Sequence, residues 1–507
     1  MALPHRECVL AADCGTTSSK VVLIDLSGRI LHSASKQRRT YFPQPGYAEQ
    51  SLDELWRSVC EGCRVLAPTL RKLKVIGLSF SGTIGDAIAL DRRLKPVSQR
   101  FMLYSDTRSL DQCRKLERMD PRRFYGLTGN PLSPASCLPK WLWLKEHSRS
   151  SYKRTSKLIQ PKDFLVLRAT GKVCTDYVSA SATMALDIER KKWSENILTQ
   201  VGIDEDKMPD LVESDGMVGE LMPTAARQMG LPIGLPVIAG AGDTGAMVLG
   251  AGAVKSGDTI LYLGGGAEVD LATDKPMFDH AMRIPSRLHP IPGMFFTSIT
   301  ALSSGLATNW FTKLSARDEI GTRSFTKLAA KSSAGANGVF FLPYLLGEQG
   351  AIWDPMAKGA FIGLRATTKY NDLCRSVLES TAYSLSHILE IYRENGVSPR
   401  SFTMCGGGAN NSLSRKIITD TLGVSIRLHA NPSEVSALGA GICAAVGVRE
   451  FKSFREAVKA MTPIAYTLRP NLANHKTYAR MAHLAKSAYP VLKGIMRQLN
   501  DFEQASL

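Results

Sequence analysis

The chain has 507 residues, 44% of them apolar and 21% charged, which allows a large buried core and two or more domains. The 63 Lys and Arg residues outnumber the 46 Asp and Glu residues, and the formal charge of +17 favours anionic ligands without selecting one. Because the basic residues are dispersed and not interleaved with aromatic residues, we expect no specific nucleic-acid partner.

Signals for secretion or membrane insertion are not found in the sequence. Residues 1–8 lack a signal-peptide core, and the most apolar stretch, 237–254, is interrupted by Asp243 and several glycines. The 10 cysteines are widely spaced, which is typical of a reducing compartment, so we expect a cytoplasmic protein without a membrane partner. Cys60 and Cys63 form the single CxxC motif, which we interpret as part of an amphipathic helix rather than a zinc or redox site.

Two hairpin-like segments indicate a repeated organisation. Strand-like residues 9–12 and 20–25 flank a polar turn, and residues 259–263 and 267–271 flank a turn of three glycines. After each hairpin the sequence alternates between strand-like runs, as at 74–79, 297–301, 339–342 and 402–405, and long amphipathic helices, as at 371–395. This pattern predicts two α/β domains facing each other across a cleft, at 1–254 and 255–507, with a basic helical tail from about residue 450.

The first hairpin turn combines an acidic residue, a glycine, hydroxyls and a lysine, namely Asp13, Gly15, Thr16, Thr17, Ser18, Ser19 and Lys20. Backbone amides and hydroxyls in a tight turn can surround phosphate oxygens, and an aspartate at a strand end can hold Mg²⁺. The same residue types also favour turns for purely local reasons. The turn matches neither a Walker A loop nor a dinucleotide-binding fingerprint, because it leads into a second strand and not into a helix.

Asp243 is a single carboxylate within a run of small residues, 238–246 (IAGAGDTGA). Small neighbours let a substrate approach the backbone closely, and such an aspartate can accept the proton of a hydroxyl during phosphoryl transfer. The competing interpretation is a helix N-cap for the Ala- and Gly-rich segment that follows.

Longer motifs resemble one family in their type and order. Residues 359–364 (GAFIGL) and 372–379 (DLCRSVLE) resemble the C-terminal signature of the FGGY carbohydrate kinases. Residues 341–349 (FLPYLLGEQ) and 353–355 (WDP) are similar to that family's LPYLxGER and WDP stretches. Further similar segments, extending the resemblance over residues 8 to about 450, are 160–165 (QPKDFL), 167–171 (LRATG), 175–176 (TD), 406–411 (GGGANN) and 436–441 (SALGAG).

The resemblance implies two actin-like (ribonuclease H-like) ATPase domains around a central cleft, with ATP and Mg²⁺ as cofactors. It implies Asp243 as the catalytic base and Asp13 as the residue associated with the metal. It also implies a nucleotide-binding set that consists of Asp13, Gly15, Thr16, Thr17, Ser18, Lys20, Gly264, Gly265, Gly305, Asn309, Gly407, Gly408 and Asn411. The expected reaction is transfer of the γ-phosphoryl group of ATP to a sugar hydroxyl.

The expected acceptor contacts are Gly82, Thr83, Asp86, Asp106, Arg108 and Asp243. Asp106 and Arg108 can bond sugar hydroxyls or can form an ion pair at a helix start, and both interpretations stay open. Ketose kinases of the family usually carry a histidine where this chain has Gly85. A pentulose such as xylulose or ribulose is the first expectation, and a polyol or sugar acid such as erythritol, glycerol or gluconate is the alternative.

Other departures concern the phosphate sites and the assembly. The second turn reads GGGA at 264–267 where relatives have GTSG, so a hydroxyl is missing, and Gln349 replaces an arginine. A nucleotide-binding regulator with weak activity is therefore a further alternative. The expected partner is a small sugar or polyol, and a homodimer is compatible with the sequence.

Overall fold

The structure is a computed structural model, and it describes residues 6–70, 73–314 and 322–505. The chain divides into two compact units. Unit 1 comprises Met1–Lys255, Ala272–Phe296 and Glu434–Pro463, and unit 2 comprises Ser256–Leu271, Thr297–Ser433 and Ile464–Leu507. Two segments from the second half of the sequence therefore belong to unit 1. The predicted domain boundary at residues 254 and 255 stays a prediction.

The strands of the described residues are β1 Arg6–Cys14, β2 Ser18–Asp25, β3 Ile30–Gln37, β4 Glu49–Ser51, β5 Leu73–Gly82, β6 Ile88–Leu90, β7 Arg100–Met102, β8 Lys157–Ile159, β9 Cys174–Asp176, β10 Leu186–Asp187, β11 Lys192–Trp193, β12 Asp210–Val212, β13 Met217–Glu220, β14 Pro236–Gly242, β15 Asp258–Leu263, β16 Ala267–Thr273, β17 Ser286–Leu288, β18 Phe295–Ala301, β19 Phe340–Leu342, β20 Ala360–Ile362, β21 Arg400–Cys405, β22 Ile426–His429 and β23 Ile464–Leu468.

The helices are α1 Leu52–Leu70, α2 Leu110–Met119, α3 Pro121–Thr128, α4 Cys137–His147, α5 Arg149–Arg154, α6 Pro161–Thr170, α7 Tyr177–Ser181, α8 Glu195–Val201, α9 Pro223–Met229, α10 Asp243–Gly250, α11 Gly305–Leu314, α12 Thr322–Ala329, α13 Tyr370–Glu394, α14 Ser412–Leu422, α15 Val435–Gly447, α16 Phe454–Met461 and α17 Leu472–Ala505. Short 3₁₀ turns lie at Glu205–Lys207, Ala336–Gly338 and Gly407–Asn410. In this part of the chain, no helix combines the length and apolar content needed to cross a bilayer.

Unit 1 is built on a six-stranded sheet with the order β13-β14-β5-β1-β2-β3. Strands β1 and β2 pair antiparallel, with Asp13 opposite Lys20, which confirms the predicted first hairpin. Strands β1, β5 and β14 are parallel, so their carboxyl ends, which carry Asp13, Gly82 and Gly242, lie at one edge. This edge is where the candidate catalytic residues of unit 1 collect.

Helices cover both faces of this sheet. Helix α15 packs against β1, β5 and β14, whereas α1 packs against β2 and β3 and buries Cys60 and Cys63, as the amphipathic-helix interpretation predicted. Helices α10 and α15 cross at backbone contact, because a Cβ on Gly439 would lie 1.8 Å from the carbonyl oxygen of Ala246. Glycine is therefore required at this crossing, which fixes α10 to the sheet.

The second large sheet has seven strands in the order β17-β18-β16-β15-β21-β22-β23, and its strands from β18 to β23 repeat the arrangement of unit 1. Strands β15 and β16 form the predicted second hairpin, while β15, β21 and β22 are parallel. The helix predicted at 371–395 is α13, whose first turn is capped by Asp372 through the amide of Lys369. The basic tail predicted to be helical from about residue 450 contains α16 and α17, and it also contains β23, which pairs antiparallel with β22 before α17 begins. Short β-rich segments after a helical run are easily misread when their partner strand lies about forty residues away.

Candidate active site

The first hairpin turn joins β1 to β2, and hydrogen bonds from two side chains outside the turn hold it. The Arg38 guanidinium donates to the carbonyl of Gly15 and, at 2.5 Å, to the hydroxyl of Ser19. The Gln50 side-chain amide donates to the carbonyl of Thr16 at 2.5 Å. With the carbonyls held by these side chains, the turn keeps its shape and the Thr17 side chain is exposed to solvent.

Asp13 ends β1 at the base of this turn. Its Oδ1 atom is buried and, within the described ranges, has no hydrogen-bond partner. Burial raises the pKa of the Asp13 carboxyl, and the nearby Ser81 side chain and the charge of Lys20 oppose that rise. A buried carboxylate oxygen without a donor is costly in isolation, so this position is suited to a cation.

Lys20 of the same turn forms an ion pair with Glu434, with 3.0 Å between Nζ and Oε1. Glu434 is the residue that precedes α15, and its Oε2 atom is buried without a hydrogen-bond partner in the described part of the chain. The Lys20 ammonium has three donors, so it can keep Glu434 and still reach a phosphate oxygen. Sequence reasoning missed Glu434, although it lies two residues before the recognised SALGAG motif.

The residues around Asp13 fit a magnesium ion. No group of three or more His, Cys, Asp or Glu side chains among the described residues could hold a metal by itself. Mg²⁺ in phosphoryl-transfer sites usually takes one or two carboxylates together with water and substrate phosphates. The unpartnered Oδ1 of Asp13 supplies one such ligand.

Asp243 is the first residue of α10 and directly follows the end of β14. Its Oδ1 accepts the Thr244 amide at 2.7 Å and the Thr244 hydroxyl at 3.3 Å, which orients the carboxylate. The residue before it has no room for a side chain, because a Cβ on Gly242 would lie 2.4 Å from Ile84. The Asp243 carboxylate therefore accepts hydrogen bonds from the next residue, as a helix-capping side chain does. It also lies at the edge of the sheet of unit 1 where β1, β5 and β14 end.

Unit 2 contains a cavity of about 650 Å³ that collects every nucleotide-binding residue predicted for this unit. Those residues are Gly264, Gly265, Gly305, Asn309, Gly407, Gly408 and Asn411. The same cavity is lined by residues that sequence reasoning missed: Ser304, Thr308, Thr326, Lys327, Leu378, Thr381, Ser412, Ser414 and Ile418. Its size and its mixture of apolar walls and amide and hydroxyl groups suit a nucleotide.

The second turn, between β15 and β16, is held by backbone hydrogen bonds from the start of α11. The amides of Ser304 and Leu306 both donate to the carbonyl of Gly265 at 2.9 Å, which fastens the turn to the start of α11. A Cβ on Gly266 would lie 2.7 Å from the carbonyl oxygen of Ala301, whereas one on Gly265 would meet nothing within 4 Å. Backbone groups alone therefore face the cavity here, and only position 265 has space for a side chain.

Glu348, in the segment similar to LPYLxGER, supports the same region of unit 2. Its Oε1 accepts the amides of Leu302 at 3.0 Å and Gln349 at 2.8 Å, so it holds the chain just before Ser304. Burial raises the pKa of the Glu348 carboxyl to about 7. The residue positions the loop that leads into α11. The motif similarity included Glu348 but assigned it no role.

The predicted acceptor residues near Gly82 are packed tightly. Asp86 is buried and accepts from the hydroxyl of Thr83 and from the amide of Tyr104 at 2.5 Å, and burial raises its pKa to about 6. Gly85 has φ of +85°, and a Cβ there would lie 2.3 Å from the carbonyl oxygen of Ala135. No other residue type, histidine included, fits position 85 without moving the backbone.

Asp106 and Arg108 are joined by several hydrogen bonds, including one of 2.7 Å from the guanidinium to Oδ2. Arg108 also contacts Glu49 at 2.7 Å, and its guanidinium lies 3.7 Å from the centre of the Tyr47 ring. Asp106 is fully buried and accepts the amide of Ala48 as well. The ion pair is thus present, and sugar contact by these two residues stays a prediction.

Two buried lysines of unit 1 were not predicted. Lys162 lies 3.1 Å from the carboxylates of Asp163 and Asp176 and donates to the carbonyl of Ala239 on β14. Lys140 is buried beside the acceptor region and donates to the carbonyl of Pro134 at 2.7 Å, and burial lowers its pKa to about 8. Both support the strand edge that ends at Asp243 and Gly82.

Sequence comparison agrees with this geometry over most of the chain. The model for the N-terminal domain of the FGGY family of carbohydrate kinases matches residues 8–250, and the model for its C-terminal domain matches residues 261–448. The chain belongs to the FGGY family of carbohydrate kinases. It is accordingly a phosphotransferase with an alcohol group as acceptor, and the family implies ATP as the donor.

Relatives of this FGGY kinase have different substrates in their names. A xylulose kinase of Bacillus subtilis is 29% identical over 98% of this chain and 99% of that protein. A gluconokinase of the same species is 26% identical, covering 98% of each chain. Among solved structures, a ligand-bound xylulose kinase from Lactobacillus acidophilus superposes with a TM-score of 0.90 at 22% identity, covering 97% of this chain and 100% of that one. This likeness confirms the actin-like fold of the FGGY kinases.

Proposed function

We propose that this FGGY kinase transfers the γ-phosphoryl group of ATP to a hydroxyl of a small sugar, with a pentulose such as xylulose or ribulose as acceptor. The observation that carries the proposal is one cavity of unit 2, around which all seven nucleotide-binding residues predicted there are assembled. The similarity to xylulose kinases over nearly the whole chain supports a pentulose as acceptor.

Asp243 acts as the general base in this proposal. Its carboxylate accepts the proton of the acceptor hydroxyl while the hydroxyl oxygen forms a bond to the γ-phosphorus and the bond to the β-phosphate oxygen breaks, releasing ADP. The two hydrogen bonds from Thr244 orient the carboxylate. Its place at the beginning of a helix favours the negative charge as well.

Asp13 would hold magnesium, and Lys20 would bind the phosphates beside it. The ion would offset the negative charge on the phosphoryl oxygens. Lys20 keeps its orientation through Glu434, and the turn keeps its shape through Arg38 and Gln50. Closure around the acceptor would exclude water, which would otherwise compete as the phosphoryl acceptor.

The direct test measures ADP release from Mg-ATP by the purified protein with a panel of pentuloses, alditols and sugar acids. We expect stimulation by a pentulose, and Asp243→Asn should lower kcat by about 10²–10⁴-fold through loss of the base. Asp111→Asn is the matched control, because the Asp111 side chain is 78% exposed on α2. The proposed reaction is wrong if no acceptor stimulates ADP release or if Asp243→Asn retains full activity.

A second candidate keeps the reaction and changes the acceptor to a polyol or a sugar acid. It is supported by Gly85, where no side chain fits and where ketose kinases usually have a histidine. The same panel separates the two, because a sugar acid or alditol would then give the highest kcat/KM and the pentuloses the lowest.

A third candidate is a nucleotide-binding regulator on the same fold. The all-glycine second turn supports it, because no hydroxyl faces the phosphates there. Calorimetry would then show ATP binding, while no acceptor on the panel would accelerate ADP release. The ten buried cysteines are compatible with either role in a reducing, cytoplasmic environment.

A further inference from the structure

Unit 1 contains a cavity of about 460 Å³, which we call the α6 cavity. Residues within 93–96, 164–171 and 222–228 line it, and these belong to the loop after β6, to α6 and to the region of α9. None of these lining residues is assigned above to the nucleotide, the metal or the acceptor. The volume lies within the range of small-molecule sites, roughly 300–1,000 Å³. The α6 cavity is therefore a candidate for a second ligand, separate from the proposed reaction.

Much of the lining of the α6 cavity is apolar. Phe164 and Leu167 of α6 line it and are buried, at 1% and 7% exposure. The remaining apolar lining includes Leu94, Pro96 and Met222, of which Leu94 is 36% exposed and the other two are half-buried. Partly exposed apolar walls above a buried apolar floor favour a ligand with an apolar body, because such a body removes their surface from water.

Three cations line the same cavity, namely Arg93, Lys95 and Arg168. In the described part of the chain, none of these three side chains forms an ion pair or donates a hydrogen bond. The Arg168 guanidinium lies 5.0 Å from the centre of the Trp56 ring, which attracts a cation but carries no counter-charge. Since no Asp or Glu is among the lining residues, the α6 cavity favours an anionic ligand.

The loop that carries two of these cations is fixed by its own hydrogen bonds. The Asp91 carboxylate accepts the amides of Arg93 at 2.8 Å and Lys95 at 2.9 Å, and the amide of Leu94 donates to the Asp91 carbonyl at 2.9 Å. The bond from the Lys95 amide, together with the Arg93 amide and the charges of both residues, lowers the pKa of Asp91. Asp91 offsets one of the three positive charges, so a net positive charge remains at the cavity.

We propose that the α6 cavity binds a small organic anion that has an apolar body and a phosphate or carboxylate group. The body would cover Leu94 and the floor of the cavity, and the charged group would accept hydrogen bonds from Arg93, Lys95 and Arg168. Such bonds between ionised groups are stronger than neutral ones. A lipid surface fits less well, because the apolar floor is recessed, with Phe164 only 1% exposed, and does not protrude as a membrane-binding face does.

The test measures binding of hexyl phosphate and of hexanoate to the full-length protein by isothermal titration calorimetry. The tighter of these two anions identifies the charged group. Inorganic phosphate lacks the apolar body and hexanol lacks the charge, so each should bind at least about tenfold more weakly than the tighter anion. Binding of hexanol as tight as that of the anions would overturn the proposal.

Two variants of the cavity test its location. Arg93→Gln combined with Lys95→Gln removes two of the cations and should weaken binding of the tighter anion by about tenfold or more. Thr224→Trp should abolish binding, because Thr224 lines the cavity from an exposed position and the larger side chain would fill it. Arg122→Gln combined with Arg123→Gln is the matched control, since both arginines are exposed on α3 outside the cavity, and it should bind like the wild type.

A variant of unit 2 separates this site from the nucleotide cavity. Gly407→Trp would obstruct the cavity of unit 2, where a Cβ at this position meets nothing within 4 Å, and it should leave binding of the anion unchanged. The measurement needs no phosphoryl transfer, so its outcome is independent of the proposed reaction. Absence of binding by both anions, or binding that survives both cavity variants, would overturn the proposal. Flotation with phosphatidylserine-containing vesicles, without binding of either free anion, would overturn it in favour of a lipid surface.

Discussion

The two phosphate turns have the same place in the same topology but are built in different ways. The turn after β1 in unit 1 presents hydroxyls and a lysine, and the side chains of Arg38 and Gln50 hold its carbonyls. The turn after β15 in unit 2 is three glycines, held by the amides of Ser304 and Leu306 at the start of α11. The comparison teaches that one fold can build the corresponding turn from polar side chains in one unit and from backbone groups alone in the other.

Among changes at the two turns, the largest effect is expected from Asp13→Asn, which removes the carboxylate at the base of the first turn. The value of kcat should fall by about 10²–10³-fold, because the cation site loses its carboxylate. The melting temperature should not fall, since burial raises the pKa of Asp13 and the neutral amide avoids burying a charge.

The measurement is steady-state ADP release together with thermal unfolding, and Asp53→Asn on the exposed side of α1 is the control. Full activity of Asp13→Asn would show that the first turn does not hold the cation.

The glycine turn is tested by a serine placed at two adjacent positions. Gly266→Ser should destabilise the protein by about 1–3 kcal/mol, because its Cβ would clash with the backbone carbonyl of Ala301. Gly265→Ser has open space and should change stability by less than about 0.5 kcal/mol while lowering the KM for ATP severalfold. Denaturant unfolding measures the stability of the two variants, and initial rates at varied ATP concentration measure their KM for ATP. Equal destabilisation by Gly265→Ser and Gly266→Ser would contradict the described turn.

Glu348 gives the loop beside the glycine turn a pH dependence. Burial raises its pKa from 4.5 to about 7, so the folded protein binds more protons than the unfolded chain between these values. The Glu348 contribution to the free energy of unfolding is fully present below about pH 4.5. It is lost as the pH rises through 7, which lowers the free energy of unfolding by roughly 3 kcal/mol at most.

Unfolding of Glu348→Gln should therefore depend less steeply on pH in this window than unfolding of the wild type. The two pH profiles of the unfolding free energy are the measurement. Parallel profiles would show that another group carries the dependence.

Gln50→Ala should have the smallest effect. It leaves the carbonyl of Thr16 without its side-chain donor, which should cost about 1 kcal/mol and raise the KM for ATP a few-fold. Gln44→Ala, at an exposed loop position, is the control and should match the wild type in both assays. A KM unchanged by Gln50→Ala would mean that the turn keeps its shape without this brace.

The sequence predicted the parts of the fold that depend on local pattern. Both hairpins and α13 follow from alternating and helical periodicity, and the motifs in family order led to the residues that line the cavity of unit 2. A polar turn between two apolar runs carries its own structural information, so these predictions needed no long-range contact.

The parts that failed depend on contacts between distant segments. Lys162 and Glu348 lie in motifs that carry the family resemblance, but nothing local in the sequence shows that each is buried by segments far away in the chain. The absence of space at Gly85 depends on the carbonyl of Ala135, fifty residues later. Burial of charge and room for a Cβ are properties of the packed chain, which no local pattern records.

The return of α15 to the sheet of unit 1 has a consequence for synthesis on the ribosome. This helix covers β1, β5 and β14, yet it is made almost 200 residues after β14 ends. At a translation rate of roughly 5–20 residues per second, the apolar face of the sheet remains uncovered for some 10–40 s before α15 is made. A chaperone has time to bind it in this period. A slow-translating region between the two halves would lengthen that exposure, so we expect the yield of soluble protein to be sensitive to translation rate there.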